Sequence, residues 1–146
     1  MAMAPLLALL LALASSAYAH PGGGQTSVVV VMKMADCSVC ATQLRTLDQA
    51  ELGVSLMGIT HSPKAAAERA AAAIGVPVYS HAEGIVSMGL WMPELGIAQP
   101  AVVVYDRCGA ETGRIVGRAP GVDATQQVRT LVDKAEAVMG CGKPVS

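Results

Sequence analysis

The 146-residue chain has no phenylalanine, one tryptophan and three tyrosines. A core without aromatic bulk must be filled by aliphatic side chains and by flexible methionine, of which there are eight. Charge is also scarce: ten basic and eleven acidic residues leave a net charge of −1. No basic run occurs, which argues against nucleic acid as a partner. The apolar stretch 6–14 falls short of the roughly 20 residues that a membrane-spanning helix needs, and no positive stop-transfer flank follows it. No internal repeat is found. Only one Cys-x-x-Cys pair exists, Cys37-Ser38-Val39-Cys40, which argues against a zinc knuckle, since that needs a second ligand pair at similar spacing.

What is present begins with an apparent leader. The apolar stretch 6–14 and the small-x-small triplet Ala17-Tyr18-Ala19 match a secretory signal peptide over residues 1–19, although no Lys or Arg precedes the apolar run. Cleavage after Ala19 would start the mature chain at His20. No cysteine stands at the cleavage site, so a lipid anchor is not expected, and no stable membrane span remains after signal removal. Residues 20–27, with Pro21-Gly22-Gly23-Gly24, read as a flexible lead-in. One domain over 28–141 and a tail over 142–146 complete the division, and the domain is long enough to bury a core. Export to a periplasmic or extracellular space would let disulfides persist.

Val28-Val29-Val30-Val31-Met32 alternates too little for a half-wet strand and predicts one buried on both faces. Ala41, Leu44, Leu47 and Glu51 then recur at helical spacing, with Gly53 as a stop. Residues 54–60 form a second strand. Ser62 is placed to cap the next helix, with Pro63 at its first position and alanine through 65–74. Gly75 and Pro77 end it. Within 84–94, Ile85, Met88 and Met92 suggest a short helix. A strand over 101–105, a turn at Arg107-Cys108-Gly109-Ala110 and a return over 111–117 make a hairpin. Asp123 and Gln126 form a capping-box pattern before a helix with Val128, Leu131, Val132, Ala135 and Val138 on one face. The class is α/β: a mixed sheet of a parallel strand-helix-strand unit and an antiparallel hairpin, flanked by helices.

The Cys-x-x-Cys thus falls where a buried strand gives way to a helix. Free amides and the helix dipole at that point stabilise a thiolate on Cys37, and Cys40 follows one turn later.

This ordering, the cysteine pair at the strand-helix junction and Gln99-Pro100 opening the third strand together resemble the thioredoxin superfamily over about 28–139. The likeness is nearest to its secreted thioredoxin-like and alkyl hydroperoxide reductase/thiol-specific antioxidant (redoxin) branches. The resemblance implies a thioredoxin-like fold, with Cys37 as attacking thiol and Cys40 as resolving thiol. It also implies that Pro100 is a cis-proline facing the disulfide and that Gln99 offers backbone groups to an extended substrate peptide. Three departures are visible. Asp36 stands where tryptophan is usual, and a nearby carboxylate opposes ionisation of Cys37. Val31 occupies the place of a buried aspartate. Ser38-Val39 supplies no positive neighbour, which favours a mild reductant or isomerase-like partner over a strong oxidant.

The expected function is an exported thiol-disulfide oxidoreductase with a redox-active disulfide, needing no bound cofactor and no metal. Its partners would be cysteine-containing exported proteins and an electron-donating thiol-disulfide protein. A thiol peroxidase with antioxidant activity is one alternative. The peroxiredoxin pattern Pro-x-x-x-Thr/Ser-x-x-Cys finds Met34 and Val30 before Cys37, and Cys37 and Lys33 before Cys40; neither fits. Arg114 and Arg118 could supply a positive charge. A copper metallochaperone is a second alternative, drawing on Met32, Met34, Met88, Met92, His61, His81 and His20. His61 could also tune Cys37. An adaptor with a dead site is opposed by the two intact cysteines.

With Pro100 set opposite Cys37 by the resemblance, the strand 101–105 leaves the active-site end and the turn bearing Cys108 lies at the far end. The last helix runs back across the sheet towards that turn. A structural Cys108–Cys141 disulfide is therefore expected; two free thiols or a second redox pair are the alternatives.

Overall fold

The computed structural model describes residues 24–80, 101–116 and 124–141. Within them the strands are β1 (Ser27–Met32), β2 (Ser55–Thr60), β3 (Val78–Ser80), β4 (Ala101–Tyr105) and β5 (Glu111–Val116). The helices are α1 (Ser38–Gln49), α2 (Lys64–Ile74) and α3 (Thr125–Glu136). The sheet order is β3-β2-β1-β4-β5. β1 runs parallel to β2, and β2 to β3, whereas β4 is antiparallel to both β1 and β5. This is the α/β class with a mixed sheet.

The valine run explains why β1 is central. Successive side chains of a strand point to opposite faces. Val28, Val30 and Met32 pack on one face with Leu44 and Leu47 of α1, Ala67 of α2 and Val128 and Val132 of α3. Val29 and Val31 pack on the other with Met57, Ile59, Ala101, Val103 and Tyr105. Met32 and Met57 stand among the largest fully buried side chains, so methionine takes space that phenylalanine often fills.

Three expectations are corrected. β3 is an additional strand, held in register Gly58–Val78 to Thr60–Ser80; three residues are too few to show an alternation. β1 starts at Ser27, and both Thr26 and Ser27 are buried, because Ser55 N–H donates to the Thr26 carbonyl (3.1 Å) and draws the end of the lead-in into the sheet. Ser62 does not cap α2. Pro63 is the N-cap residue with no side-chain cap bond, and the Ser62 hydroxyl is engaged elsewhere. The N-cap residue of α3 is Ala124, and the Asp123 of the expected capping box lies outside the described residues. α2 ends on Gly75 at φ 83°, a left-handed conformation that glycine adopts without penalty. The leader, the segment 84–94 and the tail also lie outside the described residues. No described helix is long and apolar enough to cross a membrane.

Candidate active site

Cys37 is the N-cap residue of α1, extended at φ −63° and ψ 105°. Its position is set by a tight turn: β1 ends at Met32, and the Cys37 N–H donates to the Met34 carbonyl (3.1 Å). The helix is already begun at its carbonyl, which accepts from Ala41 N–H (3.0 Å). The Cys37 Sγ accepts from Cys40 N–H at 3.2 Å, taking up one of the amides left without an intrahelical partner. Cys37 and Cys40 form a disulfide with a Cα–Cα separation of 5.2 Å.

The two sulfurs have different surroundings. Cys40 is fully buried beside Leu44 and Leu47, on the helix stripe that faces the sheet. Cys37 is half-buried at the core's edge. A reagent in solution therefore reaches Cys37 first. Once the bond opens, the amide and dipole of the helix N-terminus favour negative charge at that sulfur.

The turn 33–36 is tied to the ends of β2 and β3 by hydroxyl groups. The Ser62 Oγ accepts from Ala35 N–H (2.8 Å), and the Ser62 carbonyl accepts from the Ser80 hydroxyl (2.7 Å). The Thr60 hydroxyl accepts from Ser62 N–H (3.2 Å) and donates to the Lys33 carbonyl (3.4 Å), which also accepts from His61 N–H (3.2 Å). Beside this turn opens a groove of about 420 Å³, lined by Met34, Asp36, Pro63, Ala66, Arg69 and Ala70.

Other candidate residues are placed as follows. Gln99 and Pro100 lie outside the described residues. Ala101, next in sequence, pairs with Val31, so β4 starts at the end of the sheet where β1 leads to Cys37. Asp36 and His61 are exposed. Arg114 engages the Glu111 carboxylate on β5. Of the metal-ligand candidates, Met32 is fully buried in the core, Met34 and His61 are exposed, and His20, His81, Met88 and Met92 lie outside the described residues, as does Arg118. Among the described residues no group of three His, Cys, Asp or Glu side chains is gathered for a metal.

At the other end of the sheet Cys108 and Cys141 form a disulfide with a Cα–Cα separation of 5.1 Å, joining the β4–β5 turn to the segment after α3. Nothing local in the sequence marks Ser62 and Ser80 as partners of the turn before Cys37. Their signal was weak: Ser62 before Pro63 reads as a helix cap, and Ser80 ends a strand too short to detect.

No family model and no curated protein matches the chain. Solved structures do. A thioredoxin-like protein from Porphyromonas gingivalis superposes with a TM-score of 0.58 at 17% identity, over 77% of this chain and 76% of that one. A secreted disulfide oxidoreductase from Mycobacterium tuberculosis gives 0.53 at 18%, over 76% and 82%. A peroxiredoxin-like protein from Aquifex aeolicus gives 0.56 at 18%, over 77% and 72%. At such identities the likeness is one of fold. The fold is thioredoxin-like.

Proposed function

We propose that the chain is an exported thiol-disulfide oxidoreductase that reduces or exchanges disulfides of other exported proteins through Cys37 and Cys40. The observation that carries this reading is the Cys37–Cys40 disulfide at the N-terminus of α1, with Cys37 half-buried at the core's edge and Cys40 fully buried behind it. Support comes from the thioredoxin-like fold, which the secreted mycobacterial disulfide oxidoreductase shares.

In the reducing direction the Cys37 thiolate attacks one sulfur of a partner's disulfide. A mixed disulfide forms and the partner's other sulfur leaves as a thiolate, which takes up a proton. Cys40, losing its proton, attacks Cys37 Sγ, releases the second partner thiol and closes the Cys37–Cys40 bond. Two electrons pass to the partner, and a donor dithiol resets the pair by the same exchange in reverse. Neither step needs a bound cofactor. The groove along Met34, Pro63 and Ala66 offers room for the partner's chain next to Cys37, while Gln99 and Pro100 are proposed to hold that chain from the β4 side.

Peroxide chemistry has less support. Val30, seven residues before Cys37, is a buried core side chain, and Met34 stands where a hydroxyl would be needed. Copper carriage loses Met32 to the core.

The experiment is trapping. A Cys40→Ser chain should accumulate mixed disulfides with exported proteins, resolvable on a non-reducing gel, and a Cys37→Ser chain should not. The reverse pattern would overturn the roles, and no trapping by either would overturn the reading. Export itself is read from the intact mass of protein recovered from a secreting host, expected to start at His20.

A further inference from the structure

Three hydroxyl side chains, Thr60, Ser62 and Ser80, are buried together where β2 and β3 end, at 0%, 6% and 4% exposure. Burying hydroxyls is unfavourable unless each finds a partner. Apolar residues of similar size would fill the same space without that requirement. Here every partner is a backbone group: the Lys33 carbonyl and the Ala35 N–H on the turn that leads into Cys37, and the N–H and carbonyl of Ser62 itself. Ser80 donates to the Ser62 carbonyl at 2.7 Å, Ser62 Oγ receives Ala35 N–H at 2.8 Å, and the Met34 carbonyl receives Cys37 N–H at 3.1 Å. The chain of contacts ends at the residue whose sulfur accepts Cys40 N–H at 3.2 Å.

We propose that Ser62, braced by Ser80, is a positioning residue for the Cys37–Cys40 couple: it holds the 34–36 turn so that the Cys37 sulfur stays at the N-cap of α1. The inference rests on the redox reading of that pair. Ser62 touches neither sulfur and acts through Ala35 and the turn. Without its acceptor oxygen, Ala35 N–H must turn towards water, and Cys37 moves with it. The thiolate then loses part of its stabilisation by the amides of the first helical turn. The reduced form becomes less favoured, so the couple becomes more reducing and the Cys37 thiol harder to ionise. Lys33 and Asp36 on the turn, and His61 and Arg69 beside it, are unchanged by the substitution. A shift is therefore not a change of charge.

The test compares Ser62→Ala with Ser62→Thr in the full chain, by glutathione equilibration and by the pH profile of Cys37 alkylation. For Ser62→Ala the expected change is at least threefold in the exchange equilibrium, about 14 mV towards the reducing side. The alkylation midpoint should rise by about half a pH unit, the same threefold. Ser62→Thr retains the hydroxyl and should stay near wild type. Wild-type values for Ser62→Ala, even with a lowered melting temperature, would make Ser62 merely structural and overturn the proposal. If Ser62→Ala does not fold, Ser80→Ala carries the test, because it removes only the brace. It should shift both readouts in the same direction, and no shift overturns the proposal. If wild type itself fails to exchange with glutathione, the oxidoreductase reading falls, while the alkylation midpoint still decides the positioning role.

Discussion

Replacing Cys108 and Cys141 together by serine should cost most of what a long cross-link contributes, and little else. The bridge spans a sequence separation of 33. For a loop of that length the chain-entropy model gives about 4 kcal/mol at 25 °C, from restriction of the denatured chain. The native contacts around it should survive without it. The β4–β5 turn is braced by Asp106, whose Oδ1 accepts from Cys108 N–H (2.8 Å) and Ala110 N–H (3.0 Å). Arg107 reaches Glu136 at 3.3 Å, linking the same turn to the end of α3. For a folded unit of about 115 residues, unfolding entropy near 2.1 cal/mol/K per residue converts 4 kcal/mol into a fall of about 17 °C in Tm. The assay is urea and thermal unfolding of the double variant against wild type, both with Cys37–Cys40 oxidised. The m-value should rise as the denatured chain expands. Disulfide-exchange activity at 25 °C should not change, because Tyr105 pairs with Ser27 at one end of the sheet and Ala101 with Val31 at the other. A loss below about 1 kcal/mol at constant m would refute the entropic account, and lost activity in a folded variant would refute the independence of the two ends.

Two further outcomes follow from packing and charge. A Cβ added at Gly58 would meet Leu44, Met32 and Val78 side-chain atoms at 3.1, 3.2 and 3.3 Å. Gly58→Ala should therefore lose about 1–3 kcal/mol in urea unfolding, as overpacked cores do; an unchanged midpoint would mean that α1 retreats freely from the sheet. Glu136→Gln removes the partner of Arg107, but both side chains are substantially exposed at 35% and 45%. The loss should stay below about 1 kcal/mol, and a larger one would show that the pair carries the turn.

The parts of the fold legible in the sequence were those with long periodic signals. Val28 to Met32 is apolar throughout because both faces of β1 are covered, and Leu44 and Leu47 share a face because α1 lies on that strand. The placement of Cys37 and Cys40 needed only the change of period between those two elements. β3 escaped because three residues carry no period, and its pairing with β2 is a long-range choice. The expected Ser62 cap failed for a different reason. Ser62 has the residue type of a helix cap and stands beside Pro63, but its oxygen accepts from Ala35 N–H at 2.8 Å, and that tertiary partner prevails over a local one. No local pattern distinguishes the two uses.

The two disulfides should also separate in a reductive titration. By linkage, a bridge that stabilises the fold by about 4 kcal/mol is itself stabilised by the fold to the same extent. That corresponds to about 85 mV below the same couple in the denatured chain, at 30 mV for each 1.4 kcal/mol. Cys37–Cys40, at a separation of 3, closes a far shorter loop and gains much less in this way. Its opening also exposes a sulfur at a helix N-terminus, which stabilises the reduced form. Exposure alone would predict the opposite order, since Cys141 is exposed and Cys40 fully buried. Under graded dithiothreitol at equilibrium, with free thiols blocked and located by peptide mass, Cys37 and Cys40 should appear reduced first. Cys108 and Cys141 should stay joined until the protein begins to unfold. Opening of both pairs at one potential, or of Cys108–Cys141 first, would mean that access rather than fold linkage governs the pair. The bridge would then serve as a second exchangeable couple instead of a brace.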